Sequence, residues 1–337
     1  MKIAYVLSES ACVSPYSGVR VQADTWAKEL ERQGHRVIRV SPWEQQDWQK
    51  YDAIHLFGYC TMLNNLSEIP NKNIVFSPII DSFQPIWKYR LVTYWGSKRL
   101  RLTSHNFEMR LAAKHIKTWC VRTQFEYEYV RRAYGISPAD ISVIPLSYRI
   151  TPPVNYPKKD SFCLHVSKIT DKRKNVERLV DAAIKYHFRL VLAGSVDQAV
   201  FEKSSLKQKI EANTNISYLG RVSDERLFQL YCSAKVFALP SIGEGVGMVA
   251  LEAAACGCDI VITNIGGPKN YYGNRAKVVN PYDTNAIGEA VLEALSAKDD
   301  QPYLMTSIQH NYCLQKCVNV LADLYRVLEQ TICRHQS

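Results

Sequence analysis

Short apolar segments alternate with helical segments along almost the whole chain, and this alternation limits the possible folds more than any other feature. The clearest unit lies in the second half, where the apolar segment 235–239 runs into Pro240, a glycine-rich turn follows, and residues 249–256 have the composition of a helix. Strands that alternate with helices at this spacing form parallel, doubly wound sheets. The sequence therefore predicts an α/β fold.

Two passages of this alternation are joined by a proline-rich segment, residues 145–157, where we expect a hinge because prolines break regular structure. Two Rossmann-like doubly wound domains are therefore predicted, with a cleft at the carboxyl ends of their strands, the ordinary position of a ligand. The predicted organisation is residues 1–150, residues 151–310, and a C-terminal helix at 311–337 that packs back on the body.

The apolar runs predict six strands in each domain. In the first they are residues 2–8, 36–41, 52–58, 73–77, 116–121 and 141–144, with helices at 21–33, 106–114 and 123–134. In the second they are residues 162–166, 189–193, 216–219, 236–239, 259–263 and 277–279. Helices are predicted at 175–186, 224–233 and 249–256, and after each of the last two strands.

Composition narrows the class of protein. The 337 residues are 47% hydrophobic, which supports two full cores. No apolar run reaches the roughly 18 residues of a membrane-spanning helix, and the N-terminal segment 1–7 reads as a strand and not as a signal peptide. The ten cysteines show neither a disulfide framework nor zinc-site spacing, so we expect a cytoplasmic protein without a metal site.

The glycine-rich turn 243–247 carries the strongest chemical signal. Glycines let the backbone approach a ligand, and the N-terminus of the helix that follows offers N–H groups to an anion. Glu244 lies in the turn and Glu252 two helical turns on, and carboxylates accept hydrogen bonds from hydroxyl groups. A site that binds both a phosphate and several hydroxyl groups is typical of a nucleotide-sugar ligand. Such turns also occur throughout α/β domains, and a buried structural salt bridge is an alternative explanation of Glu252.

Five motifs in this order resemble the retaining GT-B glycosyltransferases of family 4, also called the group 1 glycosyltransferases. They are Ser167–Asn175, Leu190–Gly194, Tyr218–Leu227, Ala234–Ser241 and the pair Glu244 and Glu252. The first half resembles the family more weakly, through its opening strand, the loop at Gly18 and the segment 134–136.

The resemblance implies a role for each matching position. Glu244 would hold hydroxyl groups of the donor sugar and Glu252 the ribose. Lys168 and Lys174 would neutralise the diphosphate, with Arg173 as a neighbouring cation, so that no divalent metal or other cofactor is needed. The further donor-binding residues implied are Gly245, Val246, Gly247, Met248, Gly194, Arg221 and Gly18.

The chain also departs from the family pattern. The family usually has Gly-Arg where this chain has Ser167-Lys168, and a lysine supplies the charge without the bidentate fork of arginine. Many members carry a histidine after the strand at 73–77, where this chain has none, and Asp81 is our candidate for a polar role near the acceptor. His55, on a strand, is predicted to be a core histidine.

The first 155 residues hold 20 Lys+Arg and 13 Asp+Glu, a net charge of +7 out of +10. Residues 86–101 contain five cations, four aromatic residues and no acid. Aromatic rings suit a membrane interface, and the cations of Lys88–Arg101 suit lipid phosphates or a polyprenyl-pyrophosphate acceptor. The alternative is an ordinary helix with its aromatics in the core. Nucleic acid is not expected, because no nucleic-acid-binding motif is present.

These observations favour a retaining transferase that moves a sugar from a nucleotide-sugar donor to a glycan or lipid-linked acceptor in cell-surface polysaccharide synthesis, at the inner face of the cytoplasmic membrane. A GT-B sugar-nucleotide epimerase is the second hypothesis, although segment 172–175 and the glutamate pair argue against it. A catalytically silent nucleotide-sugar-binding partner is the third. A dinucleotide dehydrogenase is disfavoured because no acidic residue ends the strand at 259–263.

Overall fold

The computed structural model describes residues 1–13, 17–41, 44–80, 84–297 and 302–336, with side chains as far as residue 329. The chain divides into two compact units, residues 1–146 with 314–337, and residues 147–313. Each unit contains one six-stranded sheet in which all neighbouring strands are parallel. The predicted α/β fold with two doubly wound sheets is confirmed.

The first unit has the strand order β2-β1-β3-β4-β5-β6. Its strands are β1 (Lys2–Leu7), β2 (Arg36–Arg39), β3 (Ala53–Phe57), β4 (Ile74–Ser77), β5 (Thr118–Val121) and β6 (Ile141–Val143). Its α-helices are α1 (Glu9–Val13), α2 (Gly18–Arg32), α3 (Ile86–Tyr94), α4 (His105–Ala112), α5 (Gln124–Tyr129) and α13 (Leu314–Gln336). Short 3-10 helices lie at Trp48–Lys50, Thr61–Glu68, Ala113–His115 and Pro138–Asp140, and a π-helical turn at Val130–Tyr134.

Helix α13 is part of the core of the first unit, because it packs on α2 and β3. His55, on β3, is fully buried, and its ring nitrogens lie 2.6 Å from the Tyr325 hydroxyl and 2.8 Å from the Ser77 hydroxyl. Burial lowers the pKa of His55 to about 3, so the ring is neutral near pH 7. The prediction of a core histidine is confirmed.

The second unit has the strand order β12-β11-β10-β7-β8-β9. Its strands are β7 (Asp160–Val166), β8 (Leu190–Ala193), β9 (Ile216–Tyr218), β10 (Ala234–Leu239), β11 (Asp259–Thr263) and β12 (Lys277–Val279). Its α-helices are α6 (Val176–Tyr186), α7 (Gln198–Glu202), α8 (Ser205–Ala212), α9 (Asp224–Ser233), α10 (Met248–Ala255), α11 (Thr284–Ser296) and α12 (Pro302–Asn311). Short 3-10 helices lie at Lys172–Lys174, Pro268–Tyr271 and Gly273–Arg275.

In the second sheet, the direction in which successive strands are added reverses after β9, and this reversal matters for function. The chain winds from β7 outward through β8 and β9, then returns so that β10 pairs with β7 on its other side. In open α/β sheets, ligands bind outside the carboxyl ends of the two strands at such a switch point. The loops that follow Val166 and Leu239 are therefore the place to look for a site.

The predicted helix at 123–134 differs from the structure. Helix α5 ends at Tyr129, and the chain then continues as the π-helical turn Val130–Tyr134, which closes at Gly135 in the left-handed conformation. Helices α1, α7, α8 and α12 were not specified by the sequence pattern. No helix in the described ranges is both long and apolar enough to cross a membrane.

Candidate functional site

The two loops at the switch point of the second sheet are joined to each other. The backbone N–H of Ile242, in the loop after β10, donates to the carbonyl of Arg173, in the loop after β7, at 2.8 Å. The side-chain amide of Asn175 donates to the carbonyls of Pro240 and Pro281 at 2.9 and 2.6 Å. These bonds fix the loop after β7 against the loop after β10.

Asn175 is well suited to this position. It has φ 59° and ψ 32°, the left-handed region that asparagine tolerates better than most residues. It is also buried, and its amide group supplies both of the donors that the two carbonyls accept. The sequence motif included Asn175, but its role as a clamp depends on Pro281, 106 residues away, and had no local signal.

Lys174 and Glu244 meet across the two loops. The Lys174 Nζ lies 2.5 Å from the Glu244 Oε2, and about one fifth or less of either side chain is exposed, 21% and 15%. A carboxylate this enclosed needs a compensating charge, which Lys174 supplies. The structure therefore brings together one predicted sugar-binding residue and one predicted diphosphate-binding residue.

Glu252 is buried and fully engaged. It is 2% exposed, and it accepts hydrogen bonds from Arg149 Nε at 2.7 Å and from the Tyr231 hydroxyl at 3.2 Å. The buried salt bridge considered for this residue is present, while its contact with a ribose stays a prediction. Arg149 was missed by the sequence analysis, because nothing local links it to a residue 103 positions away.

A cavity of about 500 Å³ lies beside this ion pair. It is lined by Arg149, Ile150, Thr151, Asp224, Glu225, Leu227, Phe228 and Glu252. The lining combines apolar side chains with carboxylates and one guanidinium, a mixture found in sites for polar small molecules.

The glycine-rich turn leads directly into helix α10. Gly247 precedes the helix with φ 73°, and a Cβ there would lie 2.9 Å from a methyl of Leu239. No side chain caps this helix at Gly247, so its first N–H groups are available to a ligand. Gly245 and Val246 are buried and Met248 is half-buried.

The loops after β7 and β8 touch at Gly194. This glycine has φ 139°, and a Cβ on it would lie 1.7 Å from the carbonyl oxygen of Ser167. Its own N–H donates to the carbonyl of Gly220, after β9, at 2.8 Å. Only glycine permits this approach. Lys168 and Arg221 are exposed on the same loops.

The serine that replaces the family glycine at 167 has a structural partner. His165, on β7, is fully buried, with Nδ1 2.8 Å from the Ala238 carbonyl and Nε2 2.8 Å from the Ser167 hydroxyl. A carbonyl only accepts, so the proton lies on Nδ1 and the hydroxyl donates to Nε2. Burial lowers the pKa of His165 to about 4, which keeps the ring neutral near pH 7.

Three predicted residues remain to be described. Gly18 begins helix α2 of the first unit, with nothing within 4 Å of a Cβ built on it. The Arg173 guanidinium pairs with Asp171 at 2.7 Å. Asp81 lies outside the described residues. Among those that are described, no group of three or more His, Cys, Asp or Glu residues could hold a metal ion.

The basic aromatic segment of the first unit is largely on the surface. Of the nine residues of helix α3, only Tyr89 and Thr93 are buried. Trp87 is 65% exposed and Trp95, just after the helix, is 71% exposed. The alternative that these aromatics form the core is wrong except for Tyr89.

A tight turn follows this helix and carries three of the cations. Ser97 and Leu102 form an antiparallel bridge, with backbone hydrogen bonds of 2.8 and 3.0 Å. The four residues between them are all exposed and have the sequence Lys-Arg-Leu-Arg. We call residues 86–102 the basic aromatic surface.

Comparisons with known proteins show which protein family the second unit resembles. Residues 149–307, nearly the whole second unit, match the family model described as "Glycosyl transferases group 1". O-antigen chain mannosyltransferase B of Escherichia coli is 34% identical over 134 residues, which are 37% of this chain and 34% of that protein. The chain thus spans about a third of the length of that curated relative.

Two further comparisons cover nearly the whole chain. An uncharacterized glycosyltransferase of Methanocaldococcus jannaschii is 27% identical over an alignment of 360 positions, which covers 97% of this chain and 99% of the relative. The structure of a sucrose-phosphate synthase from Thermosynechococcus elongatus superposes with a TM-score of 0.72 at 18% identity, over 98% of this chain and 100% of the other, which shows a shared fold. Residues 149–307 thus resemble the group 1 glycosyltransferases, and the whole chain has the GT-B fold.

Two glycines of this site allow a matched test. We expect Gly194→Ala to destabilise the protein by roughly 3 kcal/mol or more, because the new methyl would meet the Ser167 carbonyl. Gly220→Ala is the control, since φ there is also positive, 67°, but nothing lies within 4 Å, so only about 1–2 kcal/mol of backbone strain is expected. Thermal unfolding followed by circular dichroism measures both, and equal melting temperatures for the two variants would contradict the predicted clash.

Proposed function

We propose that the chain transfers a sugar from a nucleotide-sugar donor to a glycan or lipid-linked acceptor in cell-surface polysaccharide synthesis, and that the sugar retains its anomeric configuration. The observation that carries the proposal is the Lys174–Glu244 pair. It places a cation beside a carboxylate that accepts hydrogen bonds from sugar hydroxyl groups, at the switch point of the second sheet. The relative named an O-antigen chain mannosyltransferase supports the polysaccharide context.

The donor would be held at both of its ends. The Glu244 carboxylate accepts hydrogen bonds from sugar hydroxyls, and the free N–H groups at the start of α10 meet the phosphates. Glu252 holds the ribose, with Arg149 compensating its charge. The Lys174 ammonium is already held 2.5 Å from the Glu244 carboxylate. A diphosphate bound beside Glu244 would therefore be a second anionic partner for this ammonium, without a large movement of the lysine side chain.

In the reaction, the bond from the anomeric carbon to the phosphate oxygen breaks and a bond to the acceptor hydroxyl oxygen forms on the same face. Lys168, Lys174 and the N-terminus of α10 stabilise the negative charge that develops on the leaving diphosphate. The departing phosphate oxygen accepts the proton of the acceptor hydroxyl. No separate protein base is then required, consistent with the missing first-domain histidine.

A test of the donor site begins with its ligand. A panel of UDP-, GDP-, ADP- and CMP-sugars, screened by thermal unfolding, should contain one that stabilises the protein, by about 2.7 kcal/mol at 100 times its Kd. Incubation with candidate acceptors then separates the hypotheses. Glycosylated product supports transfer, an epimerised donor supports the epimerase, and binding with no turnover supports a silent partner.

The two glutamates should differ in their effects. Glu244→Ala is expected to lower kcat, and Glu252→Gln to raise the donor Kd, each by roughly 10- to 150-fold, because a lost hydrogen bond to a charged group costs about 1.5–3 kcal/mol. Glu211→Gln, at a surface glutamate 64% exposed, is the control and should change neither. Folded variants that bind and turn over donor like the parent would refute the assignment.

We propose further that turnover needs no divalent metal. The lysine pair takes the electrostatic role of a metal at the leaving group, and the sequence contains no Asp-x-Asp motif of the metal-dependent kind. Donor turnover should therefore be unchanged after dialysis against EDTA. Activity that disappears with EDTA and returns when Mg²⁺ or Mn²⁺ is added, but not when buffer without metal is added, would refute this.

The basic aromatic surface is proposed to dock on an anionic membrane, where a lipid-linked acceptor would reside. Helix α3 presents Trp87 and Leu91 to solvent, and the turn presents Leu100, 68% exposed. Five cations flank these apolar groups with no acid among them. Apolar insertion and attraction to lipid phosphates act together at such a surface.

Vesicle co-sedimentation tests the membrane proposal. Each cation near an anionic surface contributes about 1 kcal/mol, so changing Lys98, Arg99 and Arg101 to Ser should weaken binding to anionic vesicles roughly 100-fold. The control changes three scattered exposed cations of the same unit, Lys28, Arg36 and Lys117, to Ser. Binding should also fall with salt. Equal losses in both triple variants, or equal binding to neutral vesicles, would show that the surface has no special role.

A further inference from the structure

A cavity of about 480 Å³ in the first unit is formed by four elements. Helix α4 and the 3-10 helix Ala113–His115 that follows it make one wall, and the 3-10 helix Thr61–Glu68 makes another. The tight turn after α3 contributes Lys98. None of the residues that line this cavity takes part in the proposed sugar transfer.

Three cations line the cavity, and each comes from a different element. Lys98 is on the turn, Arg110 on α4, and Lys114 on the 3-10 helix after α4. Within the described ranges of the chain, none of the three forms an ion pair with a carboxylate. A cation in the last turn of a helix offsets the negative end of its dipole, which accounts for Arg110 but not for Lys98.

The guanidinium of Arg110 is held in position before any ligand binds. Its Nε donates to the Thr93 carbonyl at 3.2 Å, and its central carbon lies 4.6 Å from the centre of the Tyr94 ring and 5.3 Å from that of Phe107. Its two terminal nitrogens have no hydrogen-bond partner among the residues that the structure describes. A planar guanidinium fixed in this way is suited to paired hydrogen bonds with phosphate oxygens.

Glu108 is the only acid among the described residues that line the cavity, and it is already paired with neutral donors. It accepts hydrogen bonds from the Tyr59 hydroxyl and, at 3.5 Å, from the Asn64 amide. Desolvation acts in the opposite direction, but these hydrogen bonds lower the pKa of Glu108, so the carboxylate is ionised near pH 7. The three cations and this carboxylate therefore leave the lining with a net charge of +2.

We propose that this cavity binds a phosphomonoester, either free or as the headgroup of a lipid. A phosphomonoester carries a charge of about −1.5 to −2 at pH 7, which matches the lining, and it has three terminal oxygens, one for each cation. The Asn64 amide and the Ser67 hydroxyl also line the cavity and are further donors. A phosphodiester has one charge and two such oxygens, so it fits this lining less well.

The cavity adjoins the basic aromatic surface, because Lys98 belongs to both. A phosphomonoester lipid bound there would give the protein one specific headgroup contact, in addition to the general attraction between cations and an anionic bilayer. The binding is separate from the proposed sugar transfer and does not depend on it.

Isothermal titration calorimetry of the full-length chain with glycerol phosphate tests the soluble source. The parent should bind it saturably, and Lys114→Gln should weaken binding about tenfold or more, because a hydrogen bond between charged groups is lost. Lys117→Gln is the matched control, since Lys117 is exposed, lies three residues further on and does not line the cavity. Binding that is kept in Lys114→Gln but lost in Lys174→Gln would belong to the donor site and would overturn the proposal.

Co-sedimentation with vesicles tests the lipid source. Phosphatidic acid, a phosphomonoester, is compared with phosphatidylglycerol, a phosphodiester, at equal surface charge. A preference for phosphatidic acid that Lys114→Gln removes and Lys117→Gln keeps supports a lipid ligand, whereas binding of glycerol phosphate without this preference supports a soluble one. Equal losses in the two variants, or neither saturable binding of glycerol phosphate nor a preference between the vesicles, would overturn the proposal and leave general docking on anionic membranes standing.

The imidazole of His115, which also lines the cavity, reports on the position of the ligand. Partial burial and the charges of Lys114 and Lys72 lower its pKa. A bound phosphate dianion stabilises the protonated ring, so the pKa of His115 should rise when glycerol phosphate is added. NMR titration of the histidine rings measures this, with the exposed His187 of the second unit as the control that should not change. An unchanged His115 pKa at saturating glycerol phosphate would overturn the assignment of the cavity.

Discussion

The hydrogen bonds from the Asn175 amide to the carbonyls of Pro240 and Pro281 fix the loop that carries Lys174 against the loop that leads to Glu244. They tie the loop after β7 to the loops after β10 and β12, and so to strands on both sides of the switch point. Lys174 is the neighbouring residue in the chain, which places its ammonium within 2.5 Å of Glu244. Without this clamp and the hydrogen bond from Ile242 to Arg173, the ion pair would have to be made by two independent loops, each at its own cost in conformational entropy.

The site also shows how buried charge is compensated before any ligand binds. Glu244 has Lys174, and Glu252 has Arg149 and Tyr231. A buried carboxylate without a partner would be costly or would become protonated. Groups that are already paired and already oriented need little reorganisation during the reaction, which is the main requirement for electrostatic catalysis. Mobile surface side chains would not meet this requirement.

The sequence was sufficient for the fold and for part of the site. Hydrophobic period and glycine turns are local signals, so the twelve strands and the turn before α10 were predictable. Contacts between distant residues were not, and Arg149 and the clamp by Asn175 belong to this class. The exposure of Trp87 and Trp95 was also unpredictable, because the presence of an aromatic residue does not show whether its side chain lies in a core or on a surface. The Ser167 hydroxyl donates to the buried Nε2 of His165, so the serine that replaces the family glycine has a structural partner, and this partner is not visible in the sequence.

The first unit is discontinuous, since residues 147–313 are inserted between its sheet and helix α13. During synthesis on the ribosome, the first sheet therefore emerges well before the helix that supplies Tyr325 to His55. The second unit, which is a continuous stretch, has all its residues available earlier and is able to fold while the first is still incomplete. In that interval the surface of β3 and α2 on which α13 packs is uncovered, and transiently exposed surface of this kind is what makes an incomplete chain prone to aggregation and dependent on chaperones.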